Sequence, residues 1–277
     1  MACAPVRQDL YNRPVVTWLV GTSGFSYPDW RGLFYPPELP RRRWLEFYQR
    51  EFPVVELNVT FYRTPRDSTY RGWAAATSPE FRFVLKVPRL VSHLKRLADC
   101  RQELEHFLGP ARLLGDKLVA VLLQTPPSLR FDVGLFDAFL DSLPVGFPPV
   151  AWEVRHDSFL DDEALAWFAG RRQPLVVADS GGRYPTILAF TAQPAYLRFH
   201  GPSGLYASSY SEAQLVEYVA WVRANVPGDA TVYAFFNNDV GGHAITDARR
   251  LRALVGGREG SGRGPDAPRN PGGAAIV

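Results

Sequence analysis

The chain has 277 residues, 46% of them hydrophobic and 21% charged, with a formal net charge of +3. That length can bury a large single core, and that composition excludes a disordered or membrane-embedded protein. A charge so near balance steers polyanions weakly, so it does not by itself call for nucleic acid.

In chain order, residues 1–14 read as a flexible leader. Residues 15–20 are an apolar, β-branched run that predicts a buried strand, with 21–24 as its turn. An aromatic loop rich in Pro and Gly covers 25–37, and the spacing of Trp44, Leu45 and Tyr48 predicts a helix over 41–51. Further strands are expected at 54–59, 81–87, 118–123, 150–155, 175–178, 195–199 and 231–236. Helices are expected at 66–77, 100–114, 133–143, 161–171, 211–226 and 243–255, with Ser211 as an N-cap. The stretch 180–191 is the weak unit, turn residues around one short apolar piece. The tail, 256–277, is Gly, Pro and Arg with almost nothing to bury, and disorder is expected there.

Eight strands, most of them followed by a helix, predict a parallel sheet. Eight units in one domain over 15–255 favour a closed (β/α)8 barrel of the TIM type over an open doubly wound sheet. No Gly-x-Gly-x-x-Gly follows the first strand, which counts against a dinucleotide fold. Two cysteines, Cys3 and Cys100, are too few for a disulfide framework or a metal motif. Without an apolar signal core or a long apolar run, a cytoplasmic protein with no membrane partner is expected.

Pleat parity separates the two faces of each strand. Val55, Leu57 and Val59 oppose Glu56 and Asn58, and Trp152 and Val154 oppose Glu153 and Arg155. Lys86 ends one row, Arg198 and His200 continue the row of Tyr196, and Asn237 continues that of Tyr233 and Phe235. Gln124 and Asp179 close their strands. In a barrel the apolar parity faces the helices, the other points inward, and late polar positions fall at the C-terminal mouth where barrel enzymes place their sites. The expected mouth therefore carries Glu56, Asn58, Lys86, Gln124, Glu153, Arg155, Asp179, Arg198, His200 and Asn237. The bland alternative is a closed ion network that merely fills the barrel.

These residues fall in motifs that occur in a fixed order. Gly21-Thr-Ser-Gly-Phe-Ser-Tyr-Pro-Asp-Trp-Arg-Gly-Leu-Phe-Tyr-Pro36, Val55-Glu-Leu-Asn-Val-Thr-Phe-Tyr-Arg63, Phe83-Val-Leu-Lys-Val-Pro88, Gln124-Thr-Pro-Pro127, Glu153-Val-Arg-His156, Leu197-Arg-Phe-His-Gly201 and Phe236-Asn-Asn-Asp239 together resemble the YecE-like family, a domain of unknown function. The resemblance spans roughly 17–255. It implies a TIM-type barrel and no particular reaction. Thr22 stands where the family often has Cys, which argues against a thiol role there.

Several chemistries suit this set. With an anionic, phosphate-bearing substrate, Lys86, Arg155, Arg198 and His200 hold the anion, Arg through its planar fork. Glu56, Glu153 or Asp179 is then the general base and His156 or His200 the general acid. Asn58, Gln124, Asn237 and Asn238 add neutral polar contacts. Trp30 and Tyr62, among Phe25, Tyr27, Tyr35 and Phe61, offer faces for a base or sugar ring, loop packing being the ordinary alternative. A nucleic-acid substrate is a subset of this reading, with a basic run at 41–43. A glycosidase would use Glu56 and Glu153, yet neighbouring cations should keep both ionised, which suits a nucleophile and not an acid. A metal-dependent enzyme would draw on His93, His156, His200 and His243. Five histidines with no His-x-His spacing leave the cofactor open between none and a single divalent metal. A non-catalytic metabolite-binding protein has the same mouth. The expected partner is a small-molecule or phosphate-bearing ligand, and the expected state a monomer.

Two finer expectations concern single features. Arg is the default cation, the only lysines being Lys86, Lys95 and Lys117. A Schiff-base role for Lys86 is disfavoured because nearby carboxylates should keep the amine protonated. Asn237-Asn-Asp-Val-Gly-Gly-His243 offers either an anion site at a helix start or a helix-capping turn.

Overall fold

Eight strands run parallel in the computed structural model, which describes residues 16–204 and 206–256. They are β1 (Thr17–Ser23), β2 (Val54–Leu57), β3 (Arg82–Lys86), β4 (Leu118–Gln124), β5 (Val150–Glu153), β6 (Val176–Asp179), β7 (Ala195–Phe199) and β8 (Thr231–Phe236). Their spatial order is β5-β4-β3-β2-β1-β8-β7-β6. The two ends meet through a parallel bridge between Trp152 and Leu175, with the Trp152 amide donating to the Pro174 carbonyl at 2.8 Å. The sheet thus closes into the predicted barrel.

Helices surround it: α1 (Trp44–Tyr48), α2 (Val59–Tyr62), α3 (Asp67–Ala75), α4 (Arg101–Ala111), α5 (Val133–Asp141), α6 (Asp162–Gly170), α7 (Glu212–Asn225) and α8 (His243–Gly256). Ser211 and Gln214 cap each other at the start of α7, as S-x-x-Q spacing requires. Asp132 caps α5 through the Leu135 amide.

Boundaries differ from the sequence reading where a single residue turns the backbone. β2 stops at Leu57 because Asn58 is already helical (φ −82°, ψ −12°) and opens α2. The helix expected over 41–51 starts as a 3-10 turn, Arg41–Arg43, before α1. A π-helical turn at Leu90–Leu94, which has no periodic signal, follows β3. The stretch 180–191 forms no helix, so β6 leads to β7 through a loop. The leader and all of the tail beyond Gly256 lie outside the described residues.

The largest correction is at residues 21–24, where β1 runs on through Gly21 to Ser23 instead of turning. Glycine is required there by close approach. The Tyr48 hydroxyl donates to the Val54 carbonyl at 3.1 Å and meets the Thr22 amide at 2.9 Å. A Cβ on Gly21 would collide with that carbonyl and lie 3.1 Å from the hydroxyl.

Two apolar shells result. Between sheet and helices, Trp152 stacks on Phe136 and packs edge-on against Phe139, Trp167 and Phe168. Inside the barrel, Val54, Val84, Ala120, Leu122, Ala151 and Phe235 form the lower layers. The polar residues sit above them, at the strand ends.

Gly21→Ala should cost about 1–3 kcal/mol, the usual range for forcing a methyl into a packed interior. Urea unfolding should show a lower midpoint at unchanged slope. An unchanged midpoint would mean that the Tyr48–Val54 contact does not restrict this position.

Candidate functional site

The inward parity of β2, β3, β4, β5 and β7 delivers Glu56, Lys86, Gln124, Glu153 and Arg198 to one end of the barrel, all of them buried. Arg198 lies between the two carboxylates. Its Nε and Nη2 donate to Glu56 Oε2 and Oε1 at 3.0 and 2.7 Å, a bidentate pair, and its Nη1 donates to Glu153 Oε2. Tyr196, two residues earlier on β7, donates its hydroxyl to Glu56 Oε2 at 2.6 Å. Glu153 Oε1 accepts from Gln124 Nε2 at 2.5 Å and from Arg155 Nε and Nη2 at 3.0 and 2.8 Å.

Burial alone would raise the Glu153 carboxyl, but Arg198, Arg155 and His200 outweigh it and hold it well below the usual carboxylate range. Burial likewise opposes the Arg198 charge, yet Glu153 and Glu56 push its pKa upward. Glu153 therefore cannot serve as a general acid, and every oxygen of both carboxylates already accepts a hydrogen bond. Glu56 Oε1 and Glu153 Oε2 accept one bond each, so what weakens the base role assigned from sequence is burial against Arg198 and, for Glu153, a carboxyl held so low that it is a poor proton acceptor.

His200 follows on the same parity. The Asn237 amide lies 3.0 Å from Nδ1, and Nε2 lies 3.5 Å from Glu153 Oε1. Nε2 also lies 3.3 Å from Arg198 Nη1, which can only donate, so the guanidinium and the Glu153 carboxylate make opposite demands on the proton at this nitrogen. Burial lowers the His200 pKa, Glu153 opposing, so the ring is neutral near pH 7.

Lys86 differs from the other cations in having no carboxylate in bonding range. Its Nζ donates to Gln124 Oε1 at 2.8 Å and sits 4.3 Å above the Phe61 ring. Gln124 thus stands between the amine and Glu153. Burial, with Arg198 second, pushes Lys86 down to about 7, against the opposing pull of Glu153 and Glu56. This overturns the expectation that neighbouring carboxylates keep the amine protonated.

Some expected residues lie elsewhere. Asp179 is on the outward parity with Leu175 and Val177; it accepts from the Gly181 amide at 3.0 Å and, after burial, is the next cause raising the Tyr210 and Tyr218 hydroxyls. His156 turns its Nδ1 to the Ser158 amide at 3.0 Å and caps a 3-10 turn. Asn238 is buried, donating to Ser208 O and Asp247 Oδ2, both at 2.8 Å. Trp30 is fully buried, its Nε1 donating to Asp239 O at 3.1 Å, so it packs the first loop and offers no open face. In the turn before α8, the Gly242 and Ala244 amides are taken by the Asp239 and Asn238 carbonyls. That is the capping turn, not an open anion cradle.

Others reach the rim. Arg155 stacks on Tyr184 at 4.4 Å, and Asn58 and Asn237 are half-buried. Tyr62 is 78% exposed and lines a groove of about 680 Å³ with Phe61, Arg63, Arg89, Leu90 and Leu94. Sequence reasoning missed Tyr184 at this rim and named His93 only as a possible metal ligand. His93 lies in the π-helical turn after β3 and Tyr184 in the loop after β6, and neither carries a parity signal. His93 packs edge-on against Phe61, and burial together with Lys86, Arg155 and Arg89 pushes it down to about 4. Tyr196 was legible as part of its row, but a phenol among aliphatic neighbours reads as core.

Among the described residues, no group of three or more His, Cys, Asp and Glu side chains is arranged to hold a metal ion. None of the helices described is long and apolar enough to cross a membrane.

A family model described as "Protein of unknown function DUF72" matches residues 19–271. The UPF0759 protein YecE of Escherichia coli K12 is 32% identical over 141 residues, 50% of this chain and 49% of that protein. The chain thus aligns with about half the length of that relative. The UPF0759 protein YunF of Bacillus subtilis is 25% identical over 275 residues, 85% of this chain and 94% of that one. The crystal structure of a DUF72 family protein from Thermotoga maritima superposes with a TM-score of 0.76 at 29% identity, covering 87% of this chain and all of that one.

Arg198→Met would leave Glu56 and Glu153 buried with their main counter-charge gone, and should cost about 3–5 kcal/mol in chemical unfolding. A loss below about 1 kcal/mol would mean that solvent reaches the pair. Lys86 gives a signed pH effect. In the unfolded chain the amine takes up its proton below about 10.4, but in the fold only near 7. The unfolded state binds more protons between those values, so the contribution of Lys86 to stability falls as pH drops from about 10 to about 7 and is level below. Lys86→Met should therefore be favoured over wild type more at neutral than at alkaline pH, by an amount on the order of a few kcal/mol. An offset independent of pH would show an ordinary, protonated lysine.

Proposed function

This chain belongs to the DUF72 family of proteins of unknown function, and on that footing we propose that its barrel mouth binds and acts on a small anionic, phosphate-bearing metabolite. One observation carries the reading: the cations at the mouth stand beside carboxylates already engaged by Arg198, Tyr196 and Gln124. Lys86 is paired only with a neutral amide, and Arg155 keeps Nη1 without a protein acceptor among the described residues. Arg89 and His93 stand on the same side, where burial first, and then the Lys86, Arg155 and Arg89 charges, push the His93 ring down. An anion placed between Lys86 and Arg155 would meet a preformed guanidinium fork and relieve like-charge repulsion.

The groove beside Phe61 favours a nucleotide-like version of the same ligand. Its exposed Tyr62 face and the Arg63 and Arg89 side chains suit an aromatic ring and further phosphate. The saturated Glu56–Arg198–Glu153 unit counts against a glycosidase, which needs one protonated carboxyl.

Titration calorimetry with inorganic phosphate, then with a nucleoside monophosphate, tests both. Saturable binding of phosphate is expected, with Arg155→Met weakening it about tenfold, as for loss of one charge-assisted hydrogen bond. Stronger binding of the monophosphate than of phosphate supports the groove. No saturable heat from either anion with a folded wild-type protein would end the proposal.

A further inference from the structure

We propose that Lys86 is a nucleophilic amine that captures a small anionic aldehyde or ketone as a Schiff base at the barrel mouth. The inference rests on the reading of the mouth as an anion site, because the anion is what would bring the carbonyl to the amine.

The geometry separates Lys86 from Arg155 and Arg198, the other cations of the mouth. It is the last residue of β3, points into the mouth, and is 8% exposed. Its single hydrogen-bond partner is Gln124 Oε1 at 2.8 Å, and Gln124 passes its own Nε2 on to Glu153 at 2.5 Å. The amide acts as a spacer that denies Lys86 a carboxylate. A side chain meant only to neutralise Glu153 would contact it directly, as Arg155 and Arg198 do. The Phe61 face at 4.3 Å covers the amine and limits its hydration. The chain otherwise relies on Arg, which cannot act as a nucleophile at neutral pH, and places one of its three lysines here. The depressed pKa agrees with this placement.

In the proposed step the Nζ lone pair attacks the carbonyl carbon and the C=O π pair moves to oxygen. The carbinolamine takes up one proton on oxygen and loses one from nitrogen. Water departs and the C=N bond forms, so amine plus carbonyl gives imine plus water with no external oxidant or reductant. Arg155 beside the amine would hold the substrate's anionic group. Ser23 Oγ and Asn58 Oδ1, enclosed at the adjacent ends of β1 and β2 and without partners among the described residues, would accept contacts from substrate hydroxyls. The class indicated is a short hydroxylated carbonyl compound bearing a carboxylate or phosphate.

The chain has its own controls. Lys95 is engaged by Glu103 at 2.7 Å and Asp99 O at 2.5 Å, and Lys117 by Ala74 O, Thr77 O and Thr77 Oγ1 at 2.6, 2.7 and 3.0 Å. Wild-type protein is treated near neutral pH with glyoxylate or with neutral acetaldehyde, reduced with borohydride, and digested for peptide mass spectrometry. An ordinary lysine is free amine in fewer than about one molecule in a thousand at that pH, and Glu103 holds Lys95 higher still, so Lys86 should be labelled at least about tenfold above Lys95, with Lys117, which burial lowers, between them. Glyoxylate should label it faster than acetaldehyde, and inorganic phosphate should slow the glyoxylate reaction. No adduct at Lys86, or equal labelling of all three lysines, overturns the nucleophile. If phosphate still binds calorimetrically, the anion site survives that failure. Selective labelling by both aldehydes alike, without phosphate binding, keeps the nucleophile and removes the anion site.

Discussion

The Arg198 guanidinium held between Glu56 and Glu153 is the constraint on which the mouth depends. Three full charges lie inside a barrel whose lower layers are apolar, where an unpaired ion would cost several kcal/mol. The arrangement is tolerable because each carboxylate oxygen accepts a hydrogen bond and Tyr196, Gln124 and Arg155 complete what Arg198 leaves open. A network this saturated has little freedom to rearrange, so it fixes where the side chains above it stand.

That saturation decides which groups are left for chemistry. Glu56 and Glu153 look like catalytic carboxylates until their partners are counted. They are then the supports that orient Arg198, Arg155 and Gln124. Gln124 in turn holds Lys86 at one remove from Glu153, a neutral spacer where an ion-pair lysine would meet the carboxylate directly. On the proposed reading the buried acids support the site, and Lys86 and Arg155 are the groups that meet the ligand.

The surrounding loops fasten the mouth without entering it. Trp30 ties the first loop to Asp239, and Asn238 and Ser209 both bond to the buried Asp247 on α8. Their polarity is spent on joining loops to helices. Phe61 on α2 and Tyr184 on the loop after β6 do come inward, each laying a ring on a cation of the mouth, Lys86 and Arg155 respectively. The family motifs thus mix two roles, and residues within three positions of each other, such as Asn237 and Asn238, serve different ones.

Much of the fold was legible in the sequence. Strand periodicity and strand–helix alternation identified all eight strands, and parity put Glu56, Lys86, Gln124, Glu153, Arg198 and His200 on the inner face at one end. These properties are local: a period of two and an apolar face are written in neighbouring residues. Parity erred at Asp179, whose alternation is correct but whose row is the outward one. It could not show that Trp30 is sealed in, or that His93 arrives from a π-helical turn and Tyr184 from a loop, since neither path carries a strand period. Above all, it could not show which side chain meets which. Lys86, Gln124 and Glu153 come from three strands whose relative heights are set by the stagger of the closed barrel. Composition alone pairs the lysine with a carboxylate; only the closed sheet inserts the amide between them, because charge attraction falls to the partner that the register brings within reach.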